Sequence, residues 1–254
     1  DPKQQWAAYI AGTLTVLAAE RDVTFDRGAS ILVNSDVPEG KGVSSSAAIE
    51  VATMHAAART FGVTLAGRDL ALLCQQVENR IVGAPCGVMD QMTSACGRAE
   101  QLMQLLCQPA ELQGHVAIPG GVAVWGIDSG IRHAVSGADY GSVRIGAFMG
   151  RTILGHDDYL ANLPPEVFDA RHREHLPTTM TGRAFLERYP EGHGDTVTTI
   201  DPRREYAVRV PTQHPVYENA RVHRFAERLA EPIDDDALTE LGELMYASHA
   251  SYSA

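Results

Sequence analysis

Three short groups of residues have the types and spacing that phosphate and proton chemistry require. The first is "VPEGKGVSSSAAIEVA" (Val37–Ala52), in which two glycines and three consecutive serines stand directly ahead of an alanine-rich run. A helix N-terminus carries unpaired N–H groups and the positive end of the helix dipole, so it seats anions, and glycines just before it let the backbone come close to a phosphate. Gly40 and Gly42 supply that approach, while Ser44, Ser45 and Ser46 supply hydroxyls that can cap the helix, bond phosphate oxygens or ligate a metal. The same spacing also fits a tight turn followed by a capped helix and nothing more. It excludes a P-loop, which ends in Lys followed by Ser or Thr, because Lys41 sits between the glycines.

The second group is "VENRIVGAPCGVMDQ" (Val77–Gln91), with Glu78 and Asp90 twelve residues apart on either side of a Gly-Ala-Pro-Cys-Gly turn, where both can face one loop. A phosphate seat with two nearby carboxylates suits metal-assisted phosphoryl transfer: one helps to hold Mg²⁺ and the other meets the attacking hydroxyl. Taken singly, Glu78 reads as a solvated helix-face residue and Asp90 as the N-cap of the run that follows it. The third group, "DARHREH", places His172 and His175 three residues apart near Asp169. No third ligand stands at a clear spacing, so this pair reads as a solvated helix face rather than a metal site.

These groups need elements to position them. Apolar spacing predicts helices over Gln4–Glu20, Ala47–Phe61 and Gly67–Gly83, the last with Asp69 as first-turn acid or cap and Gly83 as its stop. β-Branched and apolar runs predict strands over Ser30–Val37, Glu100–Cys107 and Gly120–Gly130, followed by a helix over Tyr140–Leu154. The stretch 156–215 is rich in Pro, His and charge and reads as an insertion of short helices and turns, after which "VYENARVHRFAERLA" restores a helix. "EPIDDD" (Glu231–Asp236) reads as a loop and the N-terminus of a helix, and Trp6 and Trp125 as core or partly buried anchors. The switch from helices to strands near residue 110 divides the chain into 1–112 and 113–254.

The 254 residues are 44% hydrophobic and 21% charged, enough for a packed core, and their formal net charge of −11 argues against a nucleic-acid partner held by a basic surface. The four cysteines are too few for a disulfide scaffold of this size and lack metal-knuckle spacing, so they read as free thiols of a reducing cytoplasm. No apolar run approaches the ~20 residues of a membrane helix. The expectation is a cytoplasmic protein with no membrane partner, a monomer or weak homo-oligomer.

The two leading groups together resemble the GHMP kinases. "VPEGKGVSSSAA" is similar to their ATP-binding loop, and "VENRIVGAPCGVMDQ" resembles the galactokinase branch at the matching distance. "IDSGIRHAVSGADYGSVRIGAFMGRTIL" (Ile127–Leu154), "HPVYENARVHRFAERL" and "LGELMYASHASYSA" resemble the kinase domain of L-arabinokinases more than galactokinases. The resemblance implies an α+β fold of the GHMP kinase type, with a ribosomal protein S5 domain 2-like first domain and a ferredoxin-like second one. It also implies transfer of the ATP γ-phosphate to the anomeric hydroxyl of a monosaccharide, with Mg²⁺.

Carried over by residue, it implies that Gly40, Lys41, Gly42, Val43, Ser44, Ser45 and Ser46 wrap the ATP phosphates and that Ser46 and Glu78 hold Mg²⁺. Asp90 becomes the catalytic carboxylate and Tyr140 a sugar contact, with Arg132 and His133 as further residues lining the site. Galactokinases follow the tyrosine with two adjacent arginines and a cysteine, whereas "YGSVRIGAF" has Arg144 alone, which favours an L-arabinose type of sugar over galactose. A galactokinase proper, and a non-catalytic sugar and ATP sensor, are the alternatives. The family's first motif would lie upstream of Asp1 and its third beyond Ala254, so the resemblance implies an internal portion of a longer kinase, inactive or very weak alone.

Overall fold

The computed structural model describes residues 6–131 and 138–253. The chain divides into two compact units, Asp1–His115 with Ala123–Ser136, and Val116–Val122 with Gly137–Ala254. Helices dominate both, with short antiparallel pairs of strands.

The first unit is a cluster of helices with a hairpin attached. Helices α1 (Ala7–Arg21), α2 (Ser45–Thr60) and α3 (Gly67–Gln76) follow the apolar periodicity of the sequence. They bury Val16, Leu17, Met54, Ala58, Leu73, Cys74 and Val77 in one core, of which Leu17 and Met54 lose all exposure. Burial of that kind is worth about 1.5–3 kcal/mol per large side chain. The helix expected to run to Gly83 changes character on the way. After Gln76 the chain winds as a π-helix over Val77–Val82, a looser turn that often marks functional sites, and Gly83 ends it in a left-handed conformation at φ 81°.

Gly12 is the reason α1 can lie on that π turn, because a Cβ there would stand 2.6 Å from Cγ1 of Val77. Helix α4 (Met89–Cys96) follows, then a hairpin of β1 (Gln101–Leu106) with β2 (Glu111–Ala117). Arg68 holds the hairpin's turn against α3 by bonds to the carbonyls of Pro109 and Ala110, both at 2.7 Å.

Two of the three expected strands differ. Residues 30–37 and 120–130 form no strand; Leu32 and Ile127 are each 94% exposed and Trp125 84%. β-Branched content marks a segment suited to a pleated, half-buried surface, and a strand also needs a neighbour to pair with. Neither segment has one among the described residues. The expected burial of Trp125 is therefore corrected, and Trp6 is 49% exposed.

The second unit is built around the contact of α5 (Ala138–Leu154) with α8 (Arg209–Ala230), flanked by α9 (Asp235–Ser253). Between α5 and α8 run the short pieces expected of an insertion: α6 (Pro165–Arg171), β3 (Thr179–Thr181), α7 (Gly182–Arg188) and β4 (Glu205–Ala207). Strands β3 and β4 pair antiparallel with Met180 opposite Tyr206. Phe168, Phe185, Met149, Leu176, Val208 and Val216 make the core. Helix α8 begins six residues ahead of Pro215, inside the stretch read as insertion, and takes that proline into its interior. Asp234 caps α9 as the acidic run suggested, accepting from the Ala237 N–H at 2.8 Å. Among the described residues no helix is long and apolar enough to cross a membrane.

Candidate active site

The glycine-serine loop alternates in handedness. Gly40, Gly42 and Ser44 have φ of 69°, 70° and 60°, while Lys41 and Val43 do not share the positive region. Successive residues of opposite hand turn their N–H groups to one side and form a concave nest for an anion. For glycine this costs nothing in sterics. For Ser44, at φ 60° and ψ 41°, it costs about 1–2 kcal/mol, a local strain that the surrounding structure must hold in place.

Helix α2 starts immediately after this loop, with no acidic residue in its first turn and no side-chain cap on Ser44. The serine hydroxyls are thus not used as the cap. Lys41, on the rim, is paired with Asp128 at 2.8 Å, and that bond, with one from the Gly130 N–H, holds the Asp128 carboxyl below its usual range.

One turn along α2 from Ser46 lies Glu50, on the same face and completely buried. Its carboxylate is joined to Glu78 through a single amide: Gln91 Nε2 donates to Glu78 Oε2 at 2.9 Å and lies 3.4 Å from Glu50 Oε2. Gln91 is buried too, and Glu78 is 7% exposed. Burial and the Glu78 carboxylate push Glu50 up to about 9, against the Gln91 hydrogen bond. The same surroundings raise the phenol of Tyr9, through burial and then Glu78, and raise the thiol of Cys86 through burial, the Glu78 charge and a hydrogen bond with Glu78. A buried thiol held protonated is no nucleophile, and all four cysteines are free.

Asp90 precedes Gln91 in the first turn of α4, half-buried, with its charge felt at Cys107 on the hairpin. It does not cap that helix, whose N-cap is Val88. Gln91 therefore brings together three elements: the helix that follows the loop, the π turn of Glu78 and the helix of Asp90. Tyr140 falls in the first turn of α5, and its side chain, like Arg132 and His133, lies outside the described residues. Arg144 is bound to Asp195, and His172 and His175 join no metal-compatible cluster among the described residues.

Residues 8–98 match the GHMP kinases N terminal domain, the span that holds the nest, Glu50, Glu78, Asp90 and Gln91. That span is a GHMP kinase N-terminal domain. Along its whole length it is 51% identical to L-arabinokinase of Arabidopsis thaliana, of which it spans 28%. Galactokinase of Chloroflexus aggregans is 42% identical over 58% of this chain and 37% of that protein, and galactokinase of Actinobacillus succinogenes 31% identical over 99% and 57%.

The crystal structure of Lactococcus lactis galactokinase complexed with galactose superposes with a TM-score of 0.71 at 22% identity, over 98% of this chain and 56% of that one. That likeness establishes the α+β fold of the GHMP kinases. The chain spans 28% to 57% of the length of these curated relatives.

Sequence reasoning missed three residues grouped around Glu78: the half-buried Tyr9 and the buried Glu50 and Gln91. The available signal was the spacing of Glu50, four residues on from Ser46 in a helix otherwise dense in alanine. The site's donors also suit a hard cation. Glu78 offers a carboxylate and Ser46 a hydroxyl one turn before Glu50, whose Oε1 is buried with no hydrogen-bond partner. Mg²⁺ takes one or two oxygen ligands from protein and fills the rest of its shell with phosphate and water.

Proposed function

We propose that this chain is the catalytic part of an ATP-dependent sugar 1-kinase acting on an L-arabinose type of monosaccharide. The observation that carries the reading is the junction at Gln91, which ties the phosphate-seating helix to the turn of Glu78 beside the helix of Asp90. The 51% identity to L-arabinokinase of Arabidopsis thaliana along the whole chain supports the choice of sugar.

In this reading the N–H groups of Gly40–Ser46 receive the ATP phosphates. Ser46 and Glu78 would hold Mg²⁺, which when bound supplies neutralising charge to those phosphates. Asp90 accepts the proton of the anomeric hydroxyl as its oxygen attacks the γ-phosphorus and the bond from that phosphorus to the β–γ bridging oxygen breaks. ADP and the sugar 1-phosphate are the products. A positioned base of this kind contributes about 10²–10⁴-fold, and because the transition state is loose, positioning and charge neutralisation contribute at least as much.

The sugar contact falls to Tyr140. L-Arabinose differs from galactose by one missing hydroxymethyl group, and a difference of that size gives only ~1–3 kcal/mol of discrimination in an apolar pocket. A preference for L-arabinose over galactose of tens-fold rather than thousands-fold is expected.

The test is turnover by the full-length protein with Mg-ATP against L-arabinose and galactose, beside Asp90→Asn. Product from wild type, with kcat lost in Asp90→Asn while an ATP analogue still binds, supports the kinase and its base, and the faster sugar names the substrate. Tight ATP binding with no product from either sugar replaces the kinase reading with that of a sensor.

A further inference from the structure

We propose that Gln91 is a positioning residue for the candidate metal ligand Glu78: its amide holds Oε2 of that carboxylate and so sets its orientation toward the cation, while Glu50 fixes the amide in turn. The inference rests on the kinase reading above, because it takes Glu78 as a Mg²⁺ ligand.

The geometry is a relay across three elements. A glutamine amide nitrogen has two hydrogens, and Gln91 Nε2 has a glutamate side chain within reach for each, Glu78 Oε2 at 2.9 Å and Glu50 Oε2 at 3.4 Å, with Cys86 Sγ farther off at 4.0 Å. All three side chains are buried, Glu50 and Gln91 fully. Water does not compete for these bonds, and the amide sets where the Glu78 carboxylate points.

Gln91 is also neutral, so it places a donor between two acidic side chains where a third would add repulsion. The arrangement is incompletely satisfied: Oε1 of Glu50 and Oε1 of Gln91 are buried and have no hydrogen-bond partner. An apolar trio would fill the same space with no orphaned atoms, so stability does not account for polar residues here. A carboxylate held at fixed orientation for a cation does, since second-layer partners of metal ligands orient them and tune their affinity.

The experiment uses the full-length protein and Mn²⁺, followed by electron paramagnetic resonance in the presence of the non-hydrolysable analogue β,γ-methylene-ATP. Gln91→Met keeps length and removes both donors; Gln91→Asn keeps the amide and withdraws it by one methylene. The half-saturating Mn²⁺ concentration is expected to rise at least tenfold in Gln91→Met and less in Gln91→Asn, with the sugar KM within twofold of wild type. Either variant, folded, with wild-type Mn²⁺ affinity would overturn the assignment.

Wild-type protein with ¹⁵N-labelled glutamine gives a reading that depends on neither variant folding. The Gln91 side-chain amide pair should shift when Mg²⁺ joins the nucleotide complex, and an unmoved pair refutes the relay. If wild-type protein shows no nucleotide-dependent Mn²⁺ binding at all, the kinase reading fails and takes this inference with it. Wild-type binding with unaffected variants sinks the relay alone.

Discussion

The guanidinium of Arg144 meets the carboxylate of Asp195 through two parallel bonds, Nε to Oδ2 at 2.7 Å and Nη2 to Oδ1 at 2.8 Å. The Asp195 side chain is 2% exposed, and it also accepts from the Thr198 hydroxyl at 2.6 Å and the Val197 N–H at 3.2 Å. Arg144, the single arginine that follows Tyr140 in "YGSVRIGAF", is thus engaged inside its own unit, and the pair joins α5 to the chain that precedes β4.

Burial by itself would raise the Asp195 pKa; the hydrogen bonds of Arg144 and Thr198 outweigh it and hold the group at about 2. The folded carboxyl is therefore a stronger acid than the unfolded one, whose pKa is about 3.9. Its contribution to stability is complete above about pH 4 and is lost as pH falls through about 2. Asp195→Asn should cost about 3 kcal/mol at pH 7, because it removes the charged half of a bidentate pair in a largely buried site. It should also flatten the acid limb of the urea midpoint plotted against pH. A variant that keeps the wild-type acid limb would show that Asp195 is not the group responsible.

Much of the fold was legible in the sequence, and the failures share a cause. Helices α1, α2 and α3 are local objects whose apolar spacing, stops and first-turn residues are written within a dozen or so residues. The segments 30–37 and 120–130 carry strand-like residues, but pairing is decided by another part of the chain. The site divides in the same way. Ser44–Ser46, Glu78 and Asp90 could be picked out because each belongs to a short motif. Gln91 could not, since its meaning comes from Glu78 and Glu50, thirteen and forty-one residues away. The π turn that carries Glu78 was equally hidden, since "VENRIV" continues the helical pattern without a break.

The loop makes opposite predictions for two neighbouring positions. Gly42→Ala places a Cβ on a residue at φ 70° and should destabilise the protein by about 1–2 kcal/mol while weakening an ATP analogue at least fivefold. Ser44→Gly relieves similar strain at φ 60° but adds freedom to the unfolded chain, worth about 0.5–1 kcal/mol the other way, so its net effect should lie between about zero and 1.5 kcal/mol of stabilisation. Urea unfolding compares them directly. A loss in Ser44→Gly as large as in Gly42→Ala would mean that the Ser44 side chain holds the loop in a way the strain argument omits.

Helices α5 and α8 meet at Gly150, where a Cβ would overlap Oγ1 of Thr212. Thr212 is fully buried, and its hydroxyl donates to the Val208 carbonyl at 2.7 Å, so it cannot turn away without losing that bond. Gly150→Ala should therefore cost about 1–3 kcal/mol through overpacking. Removing the obstructing hydroxyl with Thr212→Ala should recover part of the loss, giving a coupling of about 1 kcal/mol in a double-mutant cycle. Strict additivity of the two changes would show that the helices part at this point rather than strain.

Lys41 offers the sharpest separation of a structural role from a binding one. Its ammonium contacts Asp128 at 2.8 Å, with the two side chains 42% and 53% exposed. An ion pair so open to water is screened and contributes little to stability, so neither Lys41→Ala nor Asp128→Ala should move the unfolding midpoint by much. If Lys41 serves the phosphates, Lys41→Ala should weaken an ATP analogue severalfold. Asp128→Ala, which frees the ammonium from its counter-charge, should leave binding unchanged or tighten it. The gap between the variants should narrow as salt is raised, since screening acts within about 8 Å at physiological ionic strength. Equal analogue affinity in both variants would confine Lys41 to its pair with Asp128 and leave the phosphates to the backbone of Gly40–Ser46.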